Sequence, residues 1–266
     1  MPSVRELLAG AGALPVEDPR RDGEILLGHC LGRDRSWLYT WPEREVAAAD
    51  AGRYRELLQR RAAGEPVAYL TGEREFWSLR LKVNRHTLIP RPETETLVEW
   101  SLQLPLPVNA AALDLGAGSG AIALALASER PGWEVTAVDR SERALQVARD
   151  NAVRLELSRV KFSQSDWYAS VVGRYHLLVS NPPYVAEGDP HLQRGDLRFE
   201  PGAALVSPGD GLADIVRLLE GARAHLHRGG WMLVEHGATQ AGQVRELFAC
   251  NGFEQIATRR DLAGLE

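Results

Sequence analysis

Residues Leu113–Ala127 read LDLGAGSGAIALALA. Leu113, Asp114 and Leu115 lead into the glycines with the character of a strand. Gly116, Ala117, Gly118, Ser119 and Gly120 make a turn, and the apolar run from Ala121 to Ala127 makes a helix. Glycine lets the backbone take conformations closed to other residues and lets a ligand approach closely. The helix start behind such a turn presents amide N–H groups that suit an anion. Working outward, apolar strands are expected at Glu134–Val138, Val160–Ser163, Leu177–Val179, Trp231–Glu235 and Phe253–Thr258, with helices at Ser141–Asp150 and Gln240–Cys250. Alternation of strands and helices implies an α/β fold with a doubly wound, Rossmann-like parallel sheet.

The second strand runs into Asp139, where a carboxylate can accept the hydroxyls of a ribose. Its structural alternative is an N-cap for the following helix. Gly116, Gly118 and Ala121 also satisfy the dinucleotide fingerprint, so these residues by themselves leave a dehydrogenase open. Gly120 and a second motif favour S-adenosylmethionine. That motif is Asn181, Pro182, Pro183 and Tyr184, directly after the apolar run Leu177–Val179. Two successive prolines stiffen the chain and supply no N–H, which leaves carbonyl acceptors exposed. Asn181 adds a side-chain carbonyl and Tyr184 a flat aromatic face. The loop is therefore expected to grip a planar NH2 group, in an amide or a nucleobase, beside a cationic sulfonium. Its alternative is a plain strand-ending turn.

Composition narrows the function classes. The chain has 266 residues, 44% hydrophobic and 25% charged, which is globular rather than disordered. A net charge of −5 argues against a broad nucleic-acid surface and predicts no direct nucleic-acid partner. Two cysteines, Cys30 and Cys250, and histidines without ligand spacing predict neither a disulfide framework nor a metal site. No signal core or long apolar span is present, so a cytoplasmic, membrane-free enzyme, expected as a monomer, is the default.

The first part of the chain has a different pattern. Ser3–Ala9, Pro19–Leu31 and Ala47–Ala63 read as helices, and in the third Tyr54, Leu57, Leu58 and Arg61 share a face. Asp18 before Pro19 suits a cap and first turn. From Phe76 to Ile89 alternation of Leu79, Leu81 and Val83 suggests a hairpin. The expected organisation is a helical substrate-docking domain over residues 1–73, a hairpin linker over 74–90 and a catalytic domain over 91–266. An amphipathic helix is expected from Glu93 to Leu104, and a polar loop from Glu187 to Pro201.

Taken in order, GAGSGAIALALASERP, AVDRS, SDW, VSNPPY, DPHLQRGDLRFEP and DGLADI, with FWSLRLKVNRHTLIPRPETE upstream, resemble the PrmC/HemK family, the N5-glutamine methyltransferases of peptide chain release factors. The resemblance extends from about Glu65 to Arg260. It implies a class I methyltransferase sheet, S-adenosylmethionine as methyl donor with S-adenosylhomocysteine as product, and class I release factors as partners. It further implies that Gly116 to Gly120 form the cofactor loop, that Asp139 holds the ribose, that Asp166 and Trp167 border the adenine, and that Asn181 to Tyr184 grip a glutamine side chain. Trp167 has core packing as its alternative and Asp166 a turn. The neighbouring readings are N6-adenine methylation of nucleic acid after base flipping and glutamine methylation of a ribosomal protein. The resemblance implies one more strand after Gly264, inserted between the last two of the sheet; the sequence stops at Glu266 without it, so unpaired backbone is expected at that end. Arg91, Glu93 and Glu95 read as cap or ion-pair residues, His236 as structural, and Phe199, Glu200 and Pro201 as the shape of an entrance.

Overall fold

The computed structural model describes all residues except Arg194, Leu262, Ala263 and Glu266. Two compact units are present, Met1–Glu73 with Gln193–Phe199, and Arg74–Leu192 with Glu200–Glu266. Arg194, inside the quoted DPHLQRGDLRFEP stretch, and the terminal Glu266 lie outside the described residues.

The first unit is helical: α1 (Val4–Ala11), α2 (Pro19–Leu31), α3 (Arg35–Thr40), α4 (Ala48–Ala62) and α5 (Val67–Thr71). Its starts are written in the sequence. Ser3 and Glu6 form a reciprocal capping box on α1, and Asp18 caps α2 ahead of Pro19. Leu26, Leu27, Leu38 and Tyr54 fill its core. Glu24 is buried among Arg20, Arg35 and Tyr39, which all donate to it. The 193–199 segment joins this unit through Arg61, which pairs with Asp22 at 2.7 Å and Asp196 at 2.9 Å. Helices α3 and α5 were not expected from the sequence, being too short to show a period.

In the second unit a hairpin comes first, β1 (Glu73–Phe76) and β2 (Leu79–Lys82), turning at Trp77 and Ser78, both with positive φ. It ends earlier than the expected Ile89, because residues 83–91 run as turns and extended chain without a strand partner. The helix predicted from Glu93 starts as a tight turn at Pro92–Thr94 and becomes α6 at Glu95–Gln103. There follow β3 (Ala111–Leu115), α7 (Ala121–Glu129), β4 (Glu134–Asp139), α8 (Glu142–Arg154), β5 (Lys161–Gln164), β6 (Tyr175–Ser180), the short pair β7 (Val185–Ala186) and β8 (Val206–Ser207), α9 (Ala213–His225), β9 (Leu226–Val234) and α10 (Ala241–Cys250).

The main sheet has the order β5-β4-β3-β6-β9 and all its pairings are parallel. Apolar side chains cover both faces. Leu124, Leu126, Leu177 and Val98 pack on one side, and Leu113, Leu178, Ile215 and Leu219 on the other. Burial on both faces explains why the central strands β3, β4 and β6 read as largely apolar runs.

The strand expected at Phe253–Thr258 does not form. The Phe253 N–H closes the end of α10 on the Phe248 carbonyl at 3.1 Å, and Gly252 supplies the positive φ of 74° that this helix ending uses. Beyond it, β9 pairs with β6 alone among the described residues, and a strand exists only through its ladder.

Candidate active site

Strand register sets the site. Leu115 lies beside Val138, Asp114 beside Val179, and Ser180 beside Val234. One residue further along each strand, Asp139, Gly116, Asn181 and Glu235 therefore form a row along the carboxyl edge, with a spacing of about 4.8 Å from strand to strand. Two bonds lock this row. Ser180 Oγ donates to the Leu115 carbonyl at 2.6 Å, and the Glu235 N–H donates to the Ser180 carbonyl at 3.0 Å.

The glycine turn is held from three directions. Gly116 and Ala117 N–H groups share the Val138 carbonyl, both at 2.9 Å. The Gly118 N–H donates to Asp139 Oδ2 at 2.8 Å, while Ser141 N–H donates to Asp139 Oδ1 at 2.8 Å. Asp139 is thus not the cap of α8; Ser141 is, accepting from Ala144 N–H at 3.2 Å. Burial raises the Asp139 carboxyl above its ordinary pKa, opposed by these two amides. Asp114, at the end of β3, receives the Ala123 N–H of α7 on Oδ2 at 3.1 Å. The helix start expected to be open to an anion is therefore partly engaged from within. Asp114 Oδ1 is buried with no partner among the described residues. Burial, with the nearby Asp139 charge adding to it, pushes Asp114 up to about 7.

A cleft of about 170 Å³ opens beside this turn. Gly116, Gly118 and Asp139 line it, as do Asp166, Trp167, Asn181 and Pro183. A Cβ added at Gly116 would sit 3.5 Å from the Trp167 ring, and Gly116 has a φ of 85°. Ala117, Ser119 and Gly120 are buried and shape the turn instead of lining the cleft. Trp167 itself has φ 48°, the left-handed region that a non-glycine residue enters only when its surroundings impose it. Its indole N–H donates to Asp214 Oδ1 at 3.2 Å, and the half-buried ring lines the cleft while also packing against the core. Asp166 is exposed and pairs with Arg217 at 2.9 Å.

The acceptor loop divides its residues between two cavities. Asn181 and Pro183 face the cleft, Pro182 is buried, and Tyr184 lines an adjoining cavity of about 330 Å³ with Glu93, Glu235 and His236. Behind the loop, Asn181 Nδ2 donates to Thr94 Oγ1 at 3.0 Å, Thr94 Oγ1 donates to Glu235 Oε2 at 2.7 Å, and Tyr184 Oη donates to Glu235 Oε1 at 3.1 Å. Burial raises the Glu235 carboxyl, as does Glu93 nearby, against the pull of Thr94, Tyr184 and the Asn181 amide; burial and the Glu235 charge raise the Tyr184 phenol.

Sequence reasoning passed over Thr94, and no local signal marks it. Of the cleft's further lining, Pro201 was read as part of an entrance while Ala203 and Ala204 were missed; the buried Glu200 carboxylate beside them accepts from Ile89 N–H at 2.8 Å and pairs with Arg91. Arg91 is an ion-pair residue, as expected, while Glu95 accepts from Trp77 N–H at 2.8 Å. No cluster of histidine, cysteine or acidic residues able to hold a metal occurs among the described residues, nor does any helix long and apolar enough to cross a membrane.

The chain is similar to known proteins along its length. Residues 3–72 match the PrmC N-terminal domain and residues 94–210 the methyltransferase small domain. A release factor glutamine methyltransferase of Pseudomonas aeruginosa is 51% identical over 100% of this chain and 97% of its own length. One from Escherichia coli is 49% identical over 92% of this chain and 89% of that protein. Among solved structures, a methyltransferase from Pyrococcus furiosus has a TM-score of 0.50 at 21% identity, covering 74% of this chain and 87% of that one, a likeness of fold.

Proposed function

The chain belongs to the release factor glutamine methyltransferase family, and from that premise we propose that it methylates the side-chain amide nitrogen of the glutamine in the GGQ motif of class I peptide chain release factors. It is an S-adenosylmethionine-dependent protein methyltransferase. The observation that carries the reading is the in-register row of Asp139, Gly116 and Asn181, which aligns a ribose acceptor, a close-approach glycine and an amide acceptor along one sheet edge.

The residues present fit the cofactor. Gly116 and Gly118 leave the turn bare of side chains, Asp139 keeps lone pairs beyond its two amide bonds for hydroxyl donors, and Trp167 offers a fixed aromatic wall. S-adenosylmethionine supplies an electrophilic methyl group on a sulfonium.

The chain's own task is to make a poor nucleophile react. An amide nitrogen is unreactive because resonance delocalises its lone pair. Asn181 Oδ1 and the Pro182 carbonyl accept its two hydrogens, so positive charge developing on nitrogen meets fixed dipoles and the lone pair is aimed at the methyl carbon. Preorganised partners of this kind contribute about 10²–10³ in rate, by analogy with oxyanion-hole donors. Tyr184 gives the planar amide a surface to lie on. No strong base is needed beforehand, since the nitrogen becomes acidic only as the new C–N bond forms and the methyl C–S bond breaks; one N–H proton then leaves to solvent, with S-adenosylhomocysteine as the other product. The helical unit serves as the docking surface for the release factor, and the enzyme works as a cytoplasmic monomer without direct nucleic-acid contact.

The test offers methyl-labelled cofactor in parallel to purified release factor, ribosomal protein and DNA. The expected result is one methyl group on the release factor's GGQ glutamine by mass spectrometry. Label on adenine or on a ribosomal glutamine, with the release factor unlabelled, would refute the assignment.

A further inference from the structure

Two polar side chains, Thr94 and Glu235, stand behind the acceptor loop, and with Glu235 in its charged form the direction of the hydrogen bonds is forced. An ionised carboxylate carries no proton and can only accept. Glu235 therefore accepts from both Thr94 and Tyr184, at 2.7 Å and 3.1 Å. Thr94 has a single hydroxyl proton, and it is spent on Glu235. Toward Asn181 the threonine oxygen has only lone pairs left, so the asparagine must present its NH2, as it does at 3.0 Å, and the Glu235 carboxylate draws the same NH2. Its Oδ1 is then the end that remains outside this network.

We infer that Thr94 and Glu235 are positioning residues for methyl transfer: together they fix which end of the Asn181 carboxamide meets the substrate. The inference rests on the proposed reading of Asn181 as the acceptor of an amide NH2. A carboxamide flipped by 180° would turn two donors toward a substrate group that also donates, and the grip would be lost. Asparagine has no intrinsic preference between its two nearly isosteric ends, so the polarity has to come from a neighbour of fixed sense. Thr94 is 4% exposed, which removes water as a competing partner. The same carboxylate holds the Tyr184 hydroxyl, so one group orients both the acceptor and the aromatic surface.

This arrangement follows from topology. Glu235 is next to Asn181 because β9 pairs with β6, and its N–H is tied to Ser180. Thr94 reaches both from the tight turn that begins α6.

Four variants separate orientation from structure. Glu235→Gln replaces a pure acceptor by a group that can also donate, so Thr94 is free to point its proton at Asn181. Thr94→Val keeps the shape and removes the hydroxyl, Thr94→Ala is the smaller control, and Thr94→Ser restores the hydroxyl. For Glu235→Gln and Thr94→Val, kcat for release factor methylation is expected to fall about 10²-fold, the scale of a ~1 Å misplacement. Cofactor Kd should stay within about twofold, and Thr94→Ser should recover most of the loss. Retained kcat in Glu235→Gln and Thr94→Val would overturn the inference. So would parallel loss of kcat, cofactor binding and melting temperature, because that pattern marks a purely structural link.

A second readout does not depend on the substrate. In nitrogen-15 spectra the Asn181 side-chain NH2 should exchange slowly with water in the wild type and quickly in Thr94→Val. Fast exchange in the wild type overturns the inference whatever the activity. A wild type that shows slow exchange but leaves release factor unmethylated refutes the proposed function while upholding the fixed carboxamide.

Discussion

Replacing Asp139 by asparagine separates two tasks that one carboxylate performs. In the structure its oxygens accept from Gly118 and Ser141 N–H groups, each at 2.8 Å. A carboxylate offers about four lone-pair positions, so acceptor capacity remains for ribose hydroxyls. Asparagine keeps one oxygen, and whichever way it turns one of the two amides faces an NH2. An unsatisfied buried donor costs about 1–3 kcal/mol, and this loss falls on the ligand-free protein. On the ligand side, hydrogen bonds to a charged group contribute about 1.5–3 kcal/mol and neutral ones about 0.5–1.5. For two hydroxyls the difference is about 2–3 kcal/mol, or roughly 30- to 140-fold in Kd. Burial already disfavours the Asp139 charge, so the lower end of that range is expected. Calorimetry with S-adenosylhomocysteine, paired with thermal melting of the free protein, reads the two effects separately. A lower Tm together with a Kd within twofold of wild type would show that the carboxylate serves only the turn, and the ribose role would be wrong.

Further outcomes follow from the same geometry. Asn181→Ala should lower kcat about 10²–10³-fold with cofactor Kd unchanged; equal loss of binding and turnover in calorimetry and steady-state kinetics would contradict its role as substrate acceptor. Asp114 is raised from 3.8 to about 7, so the native state binds its proton more tightly than the unfolded state. Its contribution to stability is fully present below about pH 4, falls through pH 4–7 and is lost above, a change on the order of 4 kcal/mol. Asp114→Asn should flatten that slope in urea unfolding at pH 5 and 8, and an unchanged slope would count against a protonated Asp114. Glu200→Ala leaves Arg91 and the Ile89 N–H without their buried acceptor; a loss of about 3–5 kcal/mol is expected, along with weaker cofactor binding because Pro201, Ala203 and Ala204 lose their anchor. Stability within 1 kcal/mol of wild type would contradict this pinning.

The centre of the sheet was legible because β3, β4 and β6 are largely buried and run into glycine, proline or a capping residue. Gly116, Gly118, Asp139 and Asn181 could be picked out since their chemistry is local to a motif. Ser141 as the cap of α8 was not legible, since the helix was expected to begin at that residue with Asp139 as the alternative cap; the structure separates their jobs. Thr94 was not legible: its meaning comes from contacts with Asn181 and Glu235, which are remote in sequence. Periodicity could not find α3 and α5, which are shorter than two turns. Phe253 and Ile256 carry a strand pattern, yet pattern does not supply a ladder partner, and the Phe253 amide is used to end α10. The same limit applied to the helix start at Ala121, where Asp114 occupies an amide that the motif had offered to a ligand.

The claim on which the rest depends is that Asn181 and Pro182 hold an unreactive nitrogen by its hydrogens. A crystal structure with S-adenosylhomocysteine and a GGQ-bearing release factor domain tests it most directly. The glutamine nitrogen should lie within hydrogen-bonding distance of both Asn181 Oδ1 and the Pro182 carbonyl, facing the cofactor sulfur. A glutamine bound elsewhere, or met by the Asn181 NH2, would contradict the account.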